Sequence, residues 1–451
     1  MLTNKVSSLK INLAKASQGD YDEKKSQTYI WISACLLGLA IFFGDGMGSL
    51  ASKVLLLTST FFAAIAPWKQ GNRIPKEFVR SFLLILLILM FALPVTRIPG
   101  YYLQATSQSG LPYWLGLRSL AATAGILCWF HTGSRSKALF SVCCLALLFA
   151  GLWTLRASPN PSIDVFSFFN AASSELSKGN NPYGISMPNI YGPNTNLYSP
   201  SLLQGDRLKF GFPYPLTTLL AGWLGNSFFS DYRFAFLALY VLGAFLLGLQ
   251  GEVGRKIALL ALFFPRLEFI FEQGWSDGLS GALLLGTAAF SALIPGALLA
   301  GLWISSKQYL IPFIFPWMSL YRQEKKRSLV CIATVCLLYL LPLFNDPQAY
   351  LWSTLGLQFL QPFRPDSLSY LFGPVYLLIL AAIIWLFGLL TRIKTILNEH
   401  KLTPNAALDV VFWLLWAFFI FNKQAFANYY FSLYLLLLFT AGRFLLYKEK
   451  I

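Results

Sequence analysis

Asp164 is the carboxylate placed best for chemistry. It follows the turn Pro159-Asn-Pro-Ser-Ile163 and opens the pattern Val165, Phe168, Phe169, Ala172, Leu176, which is the spacing of an amphipathic helix. A carboxylate at such an apolar boundary can accept a proton from a hydroxyl. An Asp before an apolar run also caps a helix, so a purely structural role stands beside the chemical one. Asp277, in Gly274-Trp-Ser-Asp277, is a second acidic candidate. It either binds the hydroxyls of a ligand or caps the helix that begins at Gly278, and the cap is the preferred reading.

Cations that can meet an anionic group are Arg207, Lys209, Arg266, Lys307, Arg364 and Lys423. Lys307, at a break between short apolar helices, ranks first as a phosphate contact. Arg266 lies in an apolar span, where an arginine rarely lacks a task, and can instead pair Glu268 or Glu272. Arg364 can pair Asp366, Lys423 can anchor the interface, and Arg207 and Lys209 can form a solvated loop face. Tyr183, Tyr191, Tyr198, Tyr214 and Trp275 can stack on sugar rings, although Tyr and Trp also populate membrane interfaces. Asp164, Asp206 and Asp277 could converge on one divalent ion, but lysine and arginine suffice to neutralise an anionic group. No metal and no cofactor is expected.

The elements that must position these residues are apolar. Of 451 residues 56% are hydrophobic and 12% charged, with a mean hydropathy of +0.58. Soluble domains carry about 25% charged residues, so the chain reads as an integral membrane protein. Recurrent apolar runs of helical length argue for a helix bundle rather than a barrel. The net charge of +16 falls in short connections, where it sets topology and meets anionic lipid, so no nucleic-acid partner is expected. Six cysteines lie inside apolar segments and are expected as free, buried thiols. Two histidines exclude a His-based zinc site and make a Ser/His/Asp triad untenable.

The expected organisation is a cytoplasmic tail over 1–28 and a single membrane domain over 29–451. Apolar runs fall at 29–43, 49–67, 79–96, 112–130 and 138–155, then at 233–250, 279–294, 328–344, 370–390, 408–421 and 428–446. The basic connections at 68–80 and 131–137 belong in the cytoplasm. That places 156–212 outside, as an outer loop carrying Asp164. The run 212–229, broken by Pro213, Pro215, Gly222 and Gly225, is expected to dip and return, which leaves Arg322–Arg327 cytoplasmic. Breaks at 213–215, 274–278, 305–308 and 422–428 all map to the outer side. Non-helical backbone at such depth must be buried in protein or line a cavity.

Asp164 in Ser-Ile-Asp-Val-Phe, then Gly179-Asn-Asn-Pro-Tyr183, then Phe212-Pro-Tyr-Pro-Leu216, resembles the first outer loop of GT-C-type membrane glycosyltransferases. The pattern is most similar to glycosyltransferase family 87, the polyprenyl-phosphate-sugar-dependent mannosyl- and arabinosyltransferases. Ser306-Lys-Gln-Tyr309 adds to the likeness, while Tyr-Pro-Leu departs by one proline from the family's Tyr-Pro-Pro-Leu. The resemblance covers about 150–320 by motif and the remainder by hydropathy alone.

It implies an all-α, polytopic bundle of the GT-C type with about 11–14 spans. It implies an enzyme in the plasma or inner membrane with its active site on the outer face. That enzyme would move a hexose or pentose, mannose-like by preference, from a polyprenyl phosphate to a glycolipid or glycan hydroxyl. By this resemblance Asp164 is the general base of one inverting displacement, and no second carboxylate acts as nucleophile. The main alternative is a transporter or flippase of a lipid-linked or polar solute, which would also have broken helices. A polymerase or ligase using a pyrophosphate donor, or a membrane protein without activity, are further readings.

Overall fold

The computed structural model describes residues 28–67, 76–399 and 403–442. The expected tail, except for Thr28, lies outside the described residues, as do much of the basic connection at 68–80 and the basic end at 448–450. Among the described residues four helices are long and apolar enough to cross a membrane: α5 (Gly133–Ala157), α8 (Tyr232–Leu249), α14 (Lys325–Asn345) and α17 (Val375–Glu399). Shorter apolar helices include α1 (Thr28–Gly44), α2 (Leu50–Ile65), α12 (Ile294–Ile304), α18 (Pro404–Ile420) and α19, which begins at Ala427. α3 (Lys76–Ala92) and α4 (Leu111–Phe130) complete the N-terminal part.

α5 packs on both α4 and α8, and α8 packs on α11 (Asp277–Ala289). α14 and α17 leave large apolar side chains exposed, among them Leu337, Leu341, Phe344, Ile379 and Ile383. Such faces suit lipid rather than water. This also corrects one expectation, because Cys336 on α14 is exposed while the other five cysteines are buried.

The stretch 156–212 is ordered. It contains α6 (Asp164–Ser177) and a small antiparallel sheet in the order β1 (Met187–Pro188), β3 (Arg207–Leu208), β2 (Leu203–Gln204). These short strands are a minor departure from an all-α chain. α6 buries Val165, Phe168, Phe169 and Ala172, the face its spacing predicts. Phe169 stacks on Tyr232 at 4.1 Å and meets Phe236 at 5.8 Å, so this face docks on α8.

α7 (Leu216–Phe229) has 14 residues. It rises about 21 Å, short of a hydrocarbon core of about 30 Å. It ends at Ser230 in the left-handed conformation (φ 61°) and turns directly into α8. Gly222 admits the Phe169 ring, because a Cβ there would sit 2.3 Å from that ring. The expected single helix over 279–294 stops instead at Ala289, and α12 begins after a connection at 290–293. Pro295 in the first turn of α12 supplies a reason, since proline is at home there and not in a helix interior.

Candidate functional site

The turn that carries Asp164 is tied down by Arg233, a residue that sequence reasoning passed over. Its guanidinium is fully buried, pairs Asp231 at 2.7 Å, and donates to the carbonyls of Ser158 (2.8 Å) and Glu272 (2.9 Å). Glu272 in turn accepts the backbone amides of Tyr101 (2.8 Å) and Tyr102 (2.6 Å), and the Tyr102 hydroxyl donates to the Ser162 carbonyl at 3.0 Å. Residues just before Asp164 are thus held from two sides.

Asp164 is the first residue of α6. Its Oδ1 accepts the Val165 amide at 2.8 Å, and its Oδ2 accepts the Tyr198 hydroxyl. The Tyr191 hydroxyl accepts the Asp164 amide at 3.2 Å. Burial raises the Asp164 carboxyl above its ordinary range, against the opposing pull of these hydrogen bonds. A carboxylate raised in this way is a stronger base than a free one. Tyr191 and Tyr198 reach it because the loop 189–199 is pinned to the sheet, with the Asn189 amide donating to the Asp206 carbonyl at 2.9 Å. Beside the turn lies an open cavity of about 360 Å³ lined by Asn160, Ser162, Ser167, Asn170 and Tyr191 among others.

Asp277 is also buried, but it is no side-chain cap, which corrects the preferred reading. Its Oδ2 binds Lys307 Nζ at 2.8 Å and Asn428 Nδ2 at 3.1 Å. Its Oδ1 accepts Tyr309 at 2.8 Å and Ser432 at 3.1 Å. Four donors saturate the carboxylate, and a low-dielectric site requires that. Lys307 comes from the break after α12, whose backbone is satisfied by α7. Thr217 Oγ1 meets Ser305 Oγ at 2.9 Å, and Thr218 Oγ1 donates to the Ser306 carbonyl at 2.6 Å.

Tyr214 joins the two acidic centres. Lys307 Nζ lies 4.8 Å from the centre of its ring, and the ring stacks on Phe169 at 6.1 Å. Its phenol is raised by burial and then by the charges of both Asp164 and Asp277. Asp164, Tyr214, Lys307 and Asp277 therefore share one region, joined by Tyr191, Tyr198, Tyr309 and Asn428. Sequence reasoning named Tyr191 and Tyr198 only as sugar-stacking candidates and left the hydroxyl of Tyr309 aside.

The remaining candidates are distributed differently. Arg266 is buried on Asp45 at 2.7 Å, not on Glu268 or Glu272; Glu268 pairs Arg118 at 2.8 Å. Arg97 shares the same Asp45 oxygen at 2.9 Å, and both assignments depend on contacts between distant segments. Arg364 pairs Asp366 at 2.6 Å and its amide donates to the Lys423 carbonyl at 2.9 Å. Burial and then Asp164 raise the Tyr191 phenol, while the Arg364 charge acts to lower it. Lys423 Nζ is committed to the carbonyls of Gln361 (2.7 Å) and Phe359 (3.3 Å). Arg207 and Lys209 are exposed around the sheet. Tyr183 is buried against Tyr350 at 4.8 Å and donates to the Tyr214 carbonyl at 3.2 Å, so it supports Tyr214 from behind.

Among the described residues no group of three or more His, Cys, Asp or Glu side chains gathers as a metal site. Composition and fold together define a helical membrane protein. No protein family, curated protein or solved structure matches the chain.

Proposed function

We propose that the chain is a GT-C-type membrane glycosyltransferase, most like glycosyltransferase family 87. In this reading it has about 11–14 spans and a catalytic region on the outer face of the plasma or inner membrane. The reaction moves a hexose or pentose from a polyprenyl phosphate to a glycolipid or glycan hydroxyl. Asp164 takes the proton of the acceptor hydroxyl as its oxygen attacks the anomeric carbon. The bond from that carbon to the phosphate oxygen breaks, and the polyprenyl phosphate departs with the electron pair. One displacement inverts the anomeric centre.

The observation that carries this reading is the environment of the Asp164 carboxylate. It is raised by burial, held by Tyr198, and set beside an open cavity whose polar lining is neutral hydroxyl and amide. Such a lining suits a polyhydroxy ligand. Arg364, whose charge acts on the Tyr191 phenol, is the residue we assign to the leaving phosphate. Lys307 keeps its charge on Asp277 and acts on the site through the Tyr214 ring.

The test is sugar transfer by purified protein and by Asp164→Asn, with polyprenyl-phosphate sugars and a mixed glycolipid acceptor pool. Turnover by the wild type and its loss in a folded variant support the assignment. Equal turnover in both removes Asp164 as the base. A buried Asp–Lys pair beside broken helices also suits a transporter, and gradient-dependent solute uptake by proteoliposomes in the absence of transfer would favour that reading.

A further inference from the structure

Lys53 is 2% exposed on the first turns of α2, yet it makes no ion pair or hydrogen bond through its ammonium among the described residues. The carboxylates of the neighbouring segments are already taken. Asp45 is shared by Arg97 and Arg266, and Asp366, whose carbonyl accepts the Gly48 amide, is held by Arg364. The stem of Lys53 is thus buried while its ammonium reaches the surface of an apolar region without a counter-charge, and charged groups in such settings in membrane proteins are functional by default.

The surroundings add to the positive potential. α2 and α17 run parallel: Lys53 lies against Gly373 at the start of α17, while further along Arg392 donates to the Ala63 carbonyl at 3.3 Å. Their N-termini, near Ser49 and Val375, therefore lie side by side. The Ser49 hydroxyl accepts the Ser52 amide at 3.1 Å and the Pro374 carbonyl accepts those of Leu377 and Leu378, so the first two amides of each helix are the donors left, and each terminus carries a partial positive charge. Lys53 Nζ sits 3.4 Å from where a Cβ of Gly373 would stand, and its Cε 2.9 Å from a Cβ of Gly48. Both glycines are half-buried, so the seat opens to the surface between them. The rim is apolar and exposed: Met47, Leu50, Phe363, Leu371, Val375 and Tyr376.

We infer that Lys53 and the paired N-termini of α2 and α17 form a seat for a phosphate group carried on a lipid. The ammonium and two helix termini provide charge-assisted donors for phosphate oxygens. The apolar rim provides the surface along which acyl or prenyl chains lie. The seat borders the segment that carries Arg364, since the Gly48 amide donates to the Asp366 carbonyl, and its test does not depend on sugar transfer.

The experiment uses the full chain in an uncharged detergent, with dioctanoyl phosphatidic acid, dioctanoylglycerol and inorganic phosphate as probes. Binding is read by calorimetry and by the shift of the unfolding temperature. Phosphatidic acid should bind and stabilise the wild type and Lys53→Arg, and bind at least about tenfold more weakly to Lys53→Met, the loss of one charged hydrogen bond. Lys53→Met should fold at least as well as the wild type without lipid, since it removes an uncompensated charge. Equal binding of phosphatidic acid by Lys53→Met and the wild type overturns the proposal, as does equal binding of dioctanoylglycerol. Displacement of the lipid by inorganic phosphate at equal concentration overturns the lipid source.

Discussion

Lys307 and Asp277 form a 2.8 Å ion pair that is almost wholly withdrawn from solvent, and the lysine lies over the ring of Tyr214. The pair connects the break after α12 to the start of α11 and, through Asn428 and Ser432, to α19. Removing one partner leaves the other charge uncompensated. Asp277→Asn or Lys307→Met should each cost about 3–5 kcal/mol. The double variant Asp277→Asn/Lys307→Met should recover much of that loss. Thermal unfolding in detergent checks the cycle, and additive losses would show that the pair is not a unit.

Asp164→Asn should lower transfer by about 10²–10⁴-fold, the contribution of a positioned base. It should not lower thermal stability at neutral pH. The carboxyl is raised in the folded chain, so the folded state binds its proton more tightly than the unfolded one. Stability from this group is complete below the unfolded pKa and is lost as pH rises through the folded one. Asn keeps a neutral side chain at every pH. A Tm at pH 7 well below the wild type would contradict this sign.

Tyr198→Phe deletes a donor that favours the charged form of Asp164. The carboxyl should rise further, and the acid limb of the pH–rate profile should move to higher pH. An unmoved limb would mean that Asp164 does not control the rate.

Arg364→Ala should reduce turnover more than substrate binding to the apolar surface, because the cation serves a developing phosphate charge. Arg207→Ala, on an exposed strand, should leave turnover unchanged and stability within about 0.5 kcal/mol. Steady-state kinetics on both variants distinguishes them, and a larger effect at Arg207 would move the anion site to the sheet.

Gly222→Ala places a methyl group into the Phe169 ring. Phe169 ties α6 to α8, so the variant should lose stability by about 1–3 kcal/mol, the ordinary cost of overpacking. It should also lower turnover, because α6 carries Asp164. Retained stability would show that α6 can shift without harm.

Membrane helices, the buried face of α6 and the breaks before α7, α11, the 3-10 turn Gln308–Phe313 and α19 were legible in the sequence, because composition, 3.6-residue spacing and proline or glycine breaks act locally. The candidate Asp164 was legible for the same reason, as a charge at the edge of an apolar pattern. The partners were not. Arg266 stands two residues from Glu268 in the chain, yet the fold sends one to Asp45 and the other to Arg118. Asp277 looks like a helix cap until α19 and the break at Lys307 arrive to complete its shell. Lys53, inside the apolar run 49–67, drew no reading from the sequence, and only the packing of α2 on α17 buries its stem. Which charge meets which, and which is left without a partner, depends on long-range packing that brings segments far apart in sequence within about 3 Å, the range over which hydrogen bonds act. Local spacing contains no record of that encounter, and only the tertiary structure decided it.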